Sequence, residues 1–222
     1  MDKQKILSML DSTLLKADAK KEDIVKLCED AKKYRFAAVC VHPCHVELCK
    51  SLLKGELPVA TVVGFPMGAN APEVKAYEAA DAVKRGADEL DMVINIGAVR
   101  DGDYLKAEED IRGVVKTAGG RIVKVIIETC YLTEQEKIQA CLAAKRAGAS
   151  FVKTSTGLAG GGATIEDVCL MKKTVGDALK VKAAGGIRSI EECEKFIEAG
   201  AERIGTGTAV KIAEGLISDG GY

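Results

Sequence analysis

The sequence predicts an α/β fold, a single (β/α)8 barrel of the TIM type with one extra helix at the N-terminus. Three observations predict it. Short apolar runs alternate with amphipathic segments eight times along 222 residues, the rhythm of strands covered by helices. Several runs are apolar almost throughout, as in Ala60-Thr61-Val62-Val63, which marks strands buried on both faces. Hydrophobic residues make up 47% of the chain and aromatics only 4%, so Ala, Val, Ile and Leu must build the core. Eight βα units in this length leave little for a second domain, so residues 1–222 read as one domain. An open doubly wound sheet is the alternative, weakened because no Gly-x-Gly-x-x-Gly turn follows the first strand.

In order, Lys3–Met9 reads as the extra helix and Leu10–Leu14 as the first strand. Helix Asp23–Tyr34, strand Ala37–Val41 and strand Val59–Val63 follow. Helix Glu73–Arg85 leads to strand Glu89–Ile94, and strand Ile122–Ile127 to helix Glu134–Arg146. The last strands are Phe151–Thr154, Val181–Ala184 and Arg203–Gly205, the final one running into a short helix near Thr208. Gly86, Gly148 and Gly200 each stand between a helical pattern and the next strand, where a left-handed C-terminal cap belongs. Ser189 is a suitable N-cap for the helix after strand 7.

Thirty-two basic and 33 acidic side chains give a net charge of −1 with no block of one sign. That excludes the electrostatic footprint of a nucleic-acid or anionic-membrane binder. The N-terminus shows no apolar signal core, and no apolar run approaches the ~20 residues of a membrane span. A cytoplasmic location is expected. Eight cysteines then read as reduced thiols, most of them small core residues. The cluster Cys40, His42, Cys44 and His45 lacks a recognised zinc spacing and a second ligand pair.

Charged residues in buried strands call for a reason. Lys124, Lys153 and Lys182 recur at intervals of 29 residues, each inside an apolar strand, with Asp91 on strand 4 and Asp11 on strand 1. Outward snorkelling explains any one of them, but a barrel lumen lets all of them meet. A lysine attacks a carbonyl only as the neutral amine, and its ordinary pKa is about 10.4. Burial and a neighbouring ammonium both lower that value. The cluster therefore suggests imine chemistry. Strand 7 ends in Gly185-Gly186, and strand 8 in Gly205-Thr206-Gly207-Thr208, each before a helix start. Loops after strands 7 and 8 are where such barrels commonly hold phosphate. Thr154-Ser155-Thr156 adds hydroxyls beside Lys153, and Gly160-Gly161-Gly162 reads as a flexible segment.

At these residues the sequence resembles the deoxyribose-phosphate aldolases. The phrases Leu10–Lys16, Val39–Pro43, Val62–Pro66, Glu89–Gly97, Lys124–Thr129, Phe151–Gly157, Val181–Arg188 and Arg203–Thr206 carry the resemblance in order along the chain. It implies class I aldol chemistry without metal or other cofactor. It also implies a sugar-phosphate substrate, an aldehyde product, a part in deoxyribonucleoside catabolism and a homodimer. Carried over by position, Lys153 forms the Schiff base, Lys182 perturbs it and Asp91 moves protons. Gly185, Gly186, Gly205 and Thr208 fall near phosphate, and Asp11 and Thr156 near substrate hydroxyls. Cys40, Lys124 and the terminal Tyr222 are further candidates, Cys40 for aldehyde damage or core packing and Tyr222 as a tail over the site. Two departures are Ser12, where histidine is frequent, and Gly207, where serine is usual. The alternatives are another Schiff-base barrel aldolase or transaldolase, or a sugar-phosphate-binding barrel without catalysis.

Overall fold

The computed structural model describes residues 1–216. Eight parallel strands close into one barrel in sequence order: β1 Leu10–Leu14, β2 Ala38–Val41, β3 Val59–Val63, β4 Glu89–Val93, β5 Ile122–Ile126, β6 Phe151–Lys153, β7 Lys180–Ala184 and β8 Arg203–Thr206. Pairing of β1 with β8 (Leu10 opposite Ile204, Asp11 opposite Gly205) completes the ring and excludes the open sheet. Each strand lies within one residue of its expected ends, because a run that must be dry on both faces stops where the chain reaches solvent.

Among the described residues, ten α-helices surround the ring: α1 Lys3–Leu7, α2 Lys21–Tyr34, α3 Val46–Leu53, α4 Pro72–Lys84, α5 Ile96–Arg100, α6 Tyr104–Thr117, α7 Glu134–Arg146, α8 Ile165–Val175, α9 Ile190–Glu198 and α10 Ala209–Glu214. The expected first helix is shorter by two residues, since the amide of Ser8 caps it by donating to Gln4 and Ile6. Gly86, Gly148 and Gly200 take φ of 105°, 83° and 111° just past their helices, as left-handed exits require. Ser189 caps α9 by accepting from the Glu192 amide. No described helix is long and apolar enough to cross a membrane.

Strand alternation splits the interior into two environments. Val39, Val41, Val59, Leu90, Met92, Val123, Val125, Val152 and Val181 point outward, into the large core beneath the helices. Cys40, Ala60 and Val62 point inward with Leu15, forming a small apolar patch in the lumen. The inward face of β1 and β4 to β8 includes Asp11, Glu89, Asp91, Lys124, Lys153, Lys182, Arg203 and Gly205. The period of two that buries valine outside therefore aims every one of these charges inside.

Candidate active site

Register brings the three lysines together. Lys153 lies opposite Lys182 across β6 and β7, and Asp91 lies opposite Lys124 across β4 and β5. All four side chains are buried. Lys153 Nζ is 2.9 Å from Asp91 Oδ2, and Lys182 Nζ is 2.7 Å from the same oxygen. The other oxygen, Oδ1, accepts from Lys124 at 2.6 Å. Asp91 is the hub on which three ammonium groups converge.

Beneath it, Lys182 also donates to Asp11 Oδ2 at 2.5 Å. Asp11 Oδ1 accepts from Arg203, whose second nitrogen reaches Glu89 at 2.7 Å. Lys124 pairs with Glu89 at 2.6 Å and stands 3.8 Å from Asp11. Four cations thus face three carboxylates among the described residues. One cation is in excess, and the amine least served by carboxylate is the cheapest to neutralise. Lys153 is that amine, because Asp91, shared with the other two lysines, is its carboxylate partner.

The titration directions agree with this count. Burial pushes the Lys153 ammonium below its ordinary value, and the Lys182 charge adds to that against the pull of Asp91. Burial acts on Lys182 as well, but Asp11 and Asp91 overcome it and hold Lys182 well above the usual lysine range. Lys124 is also raised, chiefly by Asp91 acting against burial. Asp91 stays well below the usual carboxylate range, because Lys124, Lys153 and Lys182 outweigh its own burial. One lysine is shifted toward its neutral form and its neighbours toward their charged forms.

The remaining expected residues fall in less uniform places. Asp11 is fully enclosed, with its oxygens taken by Lys182 and Arg203. It stands as the counter-ion of Lys182 and Arg203. Gly205 lies within β8 rather than in the turn beyond it. A Cβ there would sit 2.9 Å from Lys182 Cε, so glycine at this position makes room for the lysine stem. Gly185 and Gly186 form a turn with φ of 90° and 83° before α9. Thr208 follows Gly207 beyond β8, its amide donating to Thr206 Oγ1 at 3.1 Å. Cys40 packs against Leu15, Ala60 and Val62. Burial pushes its thiol up to about 11, which keeps it protonated and a poor nucleophile. Tyr222 lies outside the described residues.

Sequence reasoning missed Glu128, though it stood in the phrase after strand 5. The chain turns there with φ 53°, a conformation that non-glycine residues seldom adopt. Its buried carboxyl accepts from the Thr156 amide at 3.1 Å and the Thr156 hydroxyl at 2.5 Å. Burial raises its pKa, with the Thr156 bonds opposing. Thr156 Oγ1 in turn accepts from Leu158 N at 3.1 Å, so this hydroxyl is occupied within its own loop. Arg203 and Glu89 were missed because both open their strands and resemble ordinary polar flanks. Above the lysines, an open cleft of about 370 Å³ is lined by Pro66, Met67, Ile96, Glu128, Thr156 and Leu158 among others. It lies on the C-terminal side of the strands, where barrel active sites are built. Among the described residues no group of three or more His, Cys, Asp or Glu is arranged to hold a metal ion.

Known proteins resemble the chain along almost its whole length. The family described as DeoC/LacD family aldolase matches residues 5–217. The chain is similar to the deoxyribose-phosphate aldolase of Clostridium perfringens, with 56% identity over 224 residues covering 100% of both chains. It is 58% identical to that of Thermococcus kodakarensis, covering 97% of this chain and 98% of the relative. Among solved structures, the deoxyribose phosphate aldolase from Aeropyrum pernix, described as a unique tetramer, superimposes with a TM-score of 0.90 at 33% identity. That match covers 96% of this chain and 91% of the other. A match along almost the whole length, over the strands that carry the charged centre, makes the chain a member of the DeoC/LacD aldolase family.

Proposed function

We propose that the chain reversibly cleaves 2-deoxy-D-ribose 5-phosphate into D-glyceraldehyde 3-phosphate and acetaldehyde, with Lys153 as the Schiff-base residue. One observation carries the catalytic reading: the amines of Lys153 and Lys182 meet on the same oxygen of Asp91, at 2.9 and 2.7 Å. The substrate rests on the full-length relatives, which are deoxyribose-phosphate aldolases.

Neutral Lys153 attacks the C1 aldehyde of the open-chain sugar, forming the C1–N bond. The resulting carbinolamine takes a proton on its hydroxyl and loses water, leaving a protonated imine. That cation accepts the electron pair of the C2–C3 bond as a base takes the C3 hydroxyl proton. Glyceraldehyde 3-phosphate departs, and the enamine left on Lys153 is protonated at C2. Water then hydrolyses the imine, releasing acetaldehyde and the free amine. Asp91 alone is too acidic to be a strong base, but Asp91 and Lys182 together pass protons to and from one water beside the imine. Asp11 keeps Lys182 charged throughout.

The phosphate end lies toward the Gly185-Gly186 turn and the Gly207-Thr208 turn, where backbone amides and the start of α9 favour an anion. The remaining parts of the reading are a single catalytic domain, a homodimer, a cytoplasmic location and no required cofactor. The closed ring, which uses strands from β1 to β8, supports the first of these.

The test is trapping. The protein is incubated with deoxyribose 5-phosphate or acetaldehyde, reduced with borohydride and mapped by mass. The adduct is expected on Lys153 and absent in Lys153→Met, with or without EDTA. No adduct from either compound defeats the proposal, and an adduct formed only with a ketose reassigns the substrate.

A further inference from the structure

Lys75 is wholly buried, yet it stands outside the barrel lumen, in the first turns of α4. Its Nζ donates to Val93 O at 2.9 Å and pairs with Asp110 Oδ2 on α6 at 2.5 Å. Asp110 is only 1% exposed. Burial lowers the pKa of Lys75 and raises that of Asp110, so both groups are pushed toward their neutral forms. A pair so placed is a weak source of stability, and two apolar side chains of similar volume would serve the core as well.

What the pair touches gives it another use. Val93 ends β4, two residues beyond Asp91. The Lys75 stem lies over Gly64, just past β3, where a Cβ would come within 2.9 Å of Lys75 Cε. One turn along α4, Glu78 accepts from the Gly64 amide at 2.7 Å. Asp110 also lies beside the backbone of Asn95, which lowers its pKa against the burial. Helices α4 and α6 thus grip the ends of β3 and β4 from outside, at the side of the barrel that carries Asp91 and the walls Met67 and Ile96 of the cleft.

We propose that Lys75, held by Asp110, is a positioning residue that fixes the C-terminal end of β4 and, through it, the aim of the Asp91 carboxylate at Lys153 and Lys182. The inference rests on the aldol reading of that centre, and borohydride trapping of the wild type reports on that reading separately. The test is Lys75→Met/Asp110→Leu, which removes both charges and keeps the volume. The double variant is expected to melt within ~5 °C of the wild type. Its kcat for deoxyribose 5-phosphate cleavage should fall by ~10-fold or more, with KM within ~2-fold, since reacting groups misplaced by a fraction of an ångström lose rate before binding. The acidic limb of its kcat/KM profile should also move, because the Asp91 charge no longer faces Lys153 at the same distance. A folded double variant with wild-type kcat and pH profile overturns the proposal. If the double variant does not fold, Lys75→Met alone is read by the same criteria. If neither folds, the pair is a stability element and the proposal fails.

Discussion

Lys182 and Lys153 are equally deep and differ only in their company. Lys182 sits between two carboxylates at 2.5 and 2.7 Å, whereas Lys153 has a share of one at 2.9 Å. At neutral pH the first keeps its proton and the second gives it up more readily. Lys182→Met removes a repelling charge from Lys153 and leaves it a larger share of Asp91. The Lys153 ammonium is thereby stabilised, so the acidic limb of kcat/KM must move to higher pH while kcat falls ~100-fold. A pH–rate series on the two proteins measures this, and a stationary limb would remove Lys182 from its assigned part. The recurring interval of 29 residues was enough to find the lysines in the sequence. It could not say which one is pushed toward its neutral form. That depends on Asp11, Glu89 and Arg203 being interleaved among them from strands far apart in the chain.

At the scale of elements, the junction of β5 with the loop after β6 shows how a strand end is made rigid. Ile127 N donates to Lys153 O at 3.0 Å and Thr129 N to Thr154 O at 3.0 Å, and Glu128 between them holds Thr156. Glu128→Ala leaves the amide and hydroxyl of Thr156 without their acceptor in a dry place, a loss of ~1–3 kcal/mol. Its melting temperature and kcat should both fall. Glu128→Gln keeps an oxygen toward the Thr156 amide and should retain most of both. Equal losses in the two variants would mean that the charge, not the bonding, is what matters. Strand ends were legible because burial on two faces writes a plain apolar run. This loop was not. Its glycines were read as flexible, yet a Cβ at Gly161 would lie 2.7 Å from Cys130 Cβ, and one at Gly162 would lie 2.4 Å from Gly185 O. Close packing against partners some 20 to 30 positions away leaves no local signature.

For the whole molecule, the charged lumen sets the pH range of stability. Asp11 and Asp91 titrate below their unfolded values despite their burial, because the surrounding cations hold them ionised. The stability they contribute is complete above the unfolded carboxylate pKa of about 3.9 and is lost as pH falls through the folded values. Lys124 and Lys182, raised by their carboxylates, contribute stability below about 10.4 that is lost as pH rises through their folded values. Lys153, lowered chiefly by burial, works the other way and costs stability while it is protonated. Denaturant unfolding at a series of pH values should show a plateau near neutrality and a steep loss below ~pH 4. A curve flat to ~pH 3 would mean that the carboxylates are not held as described.

The lower end of the ring is stoppered. Arg203, Glu89 and Asp11 bridge across it, and Arg203 lies 5.9 Å from the Phe151 ring centre. Among the described residues, the cleft lined by Glu128 and Thr156 opens at the opposite, C-terminal end of the strands. On the proposed reading, a substrate tethered at Lys153 reaches the amine from that end of the barrel. On that reading the glyceraldehyde phosphate departs first by this end, and a new acceptor entering the same way meets the enamine on Lys153.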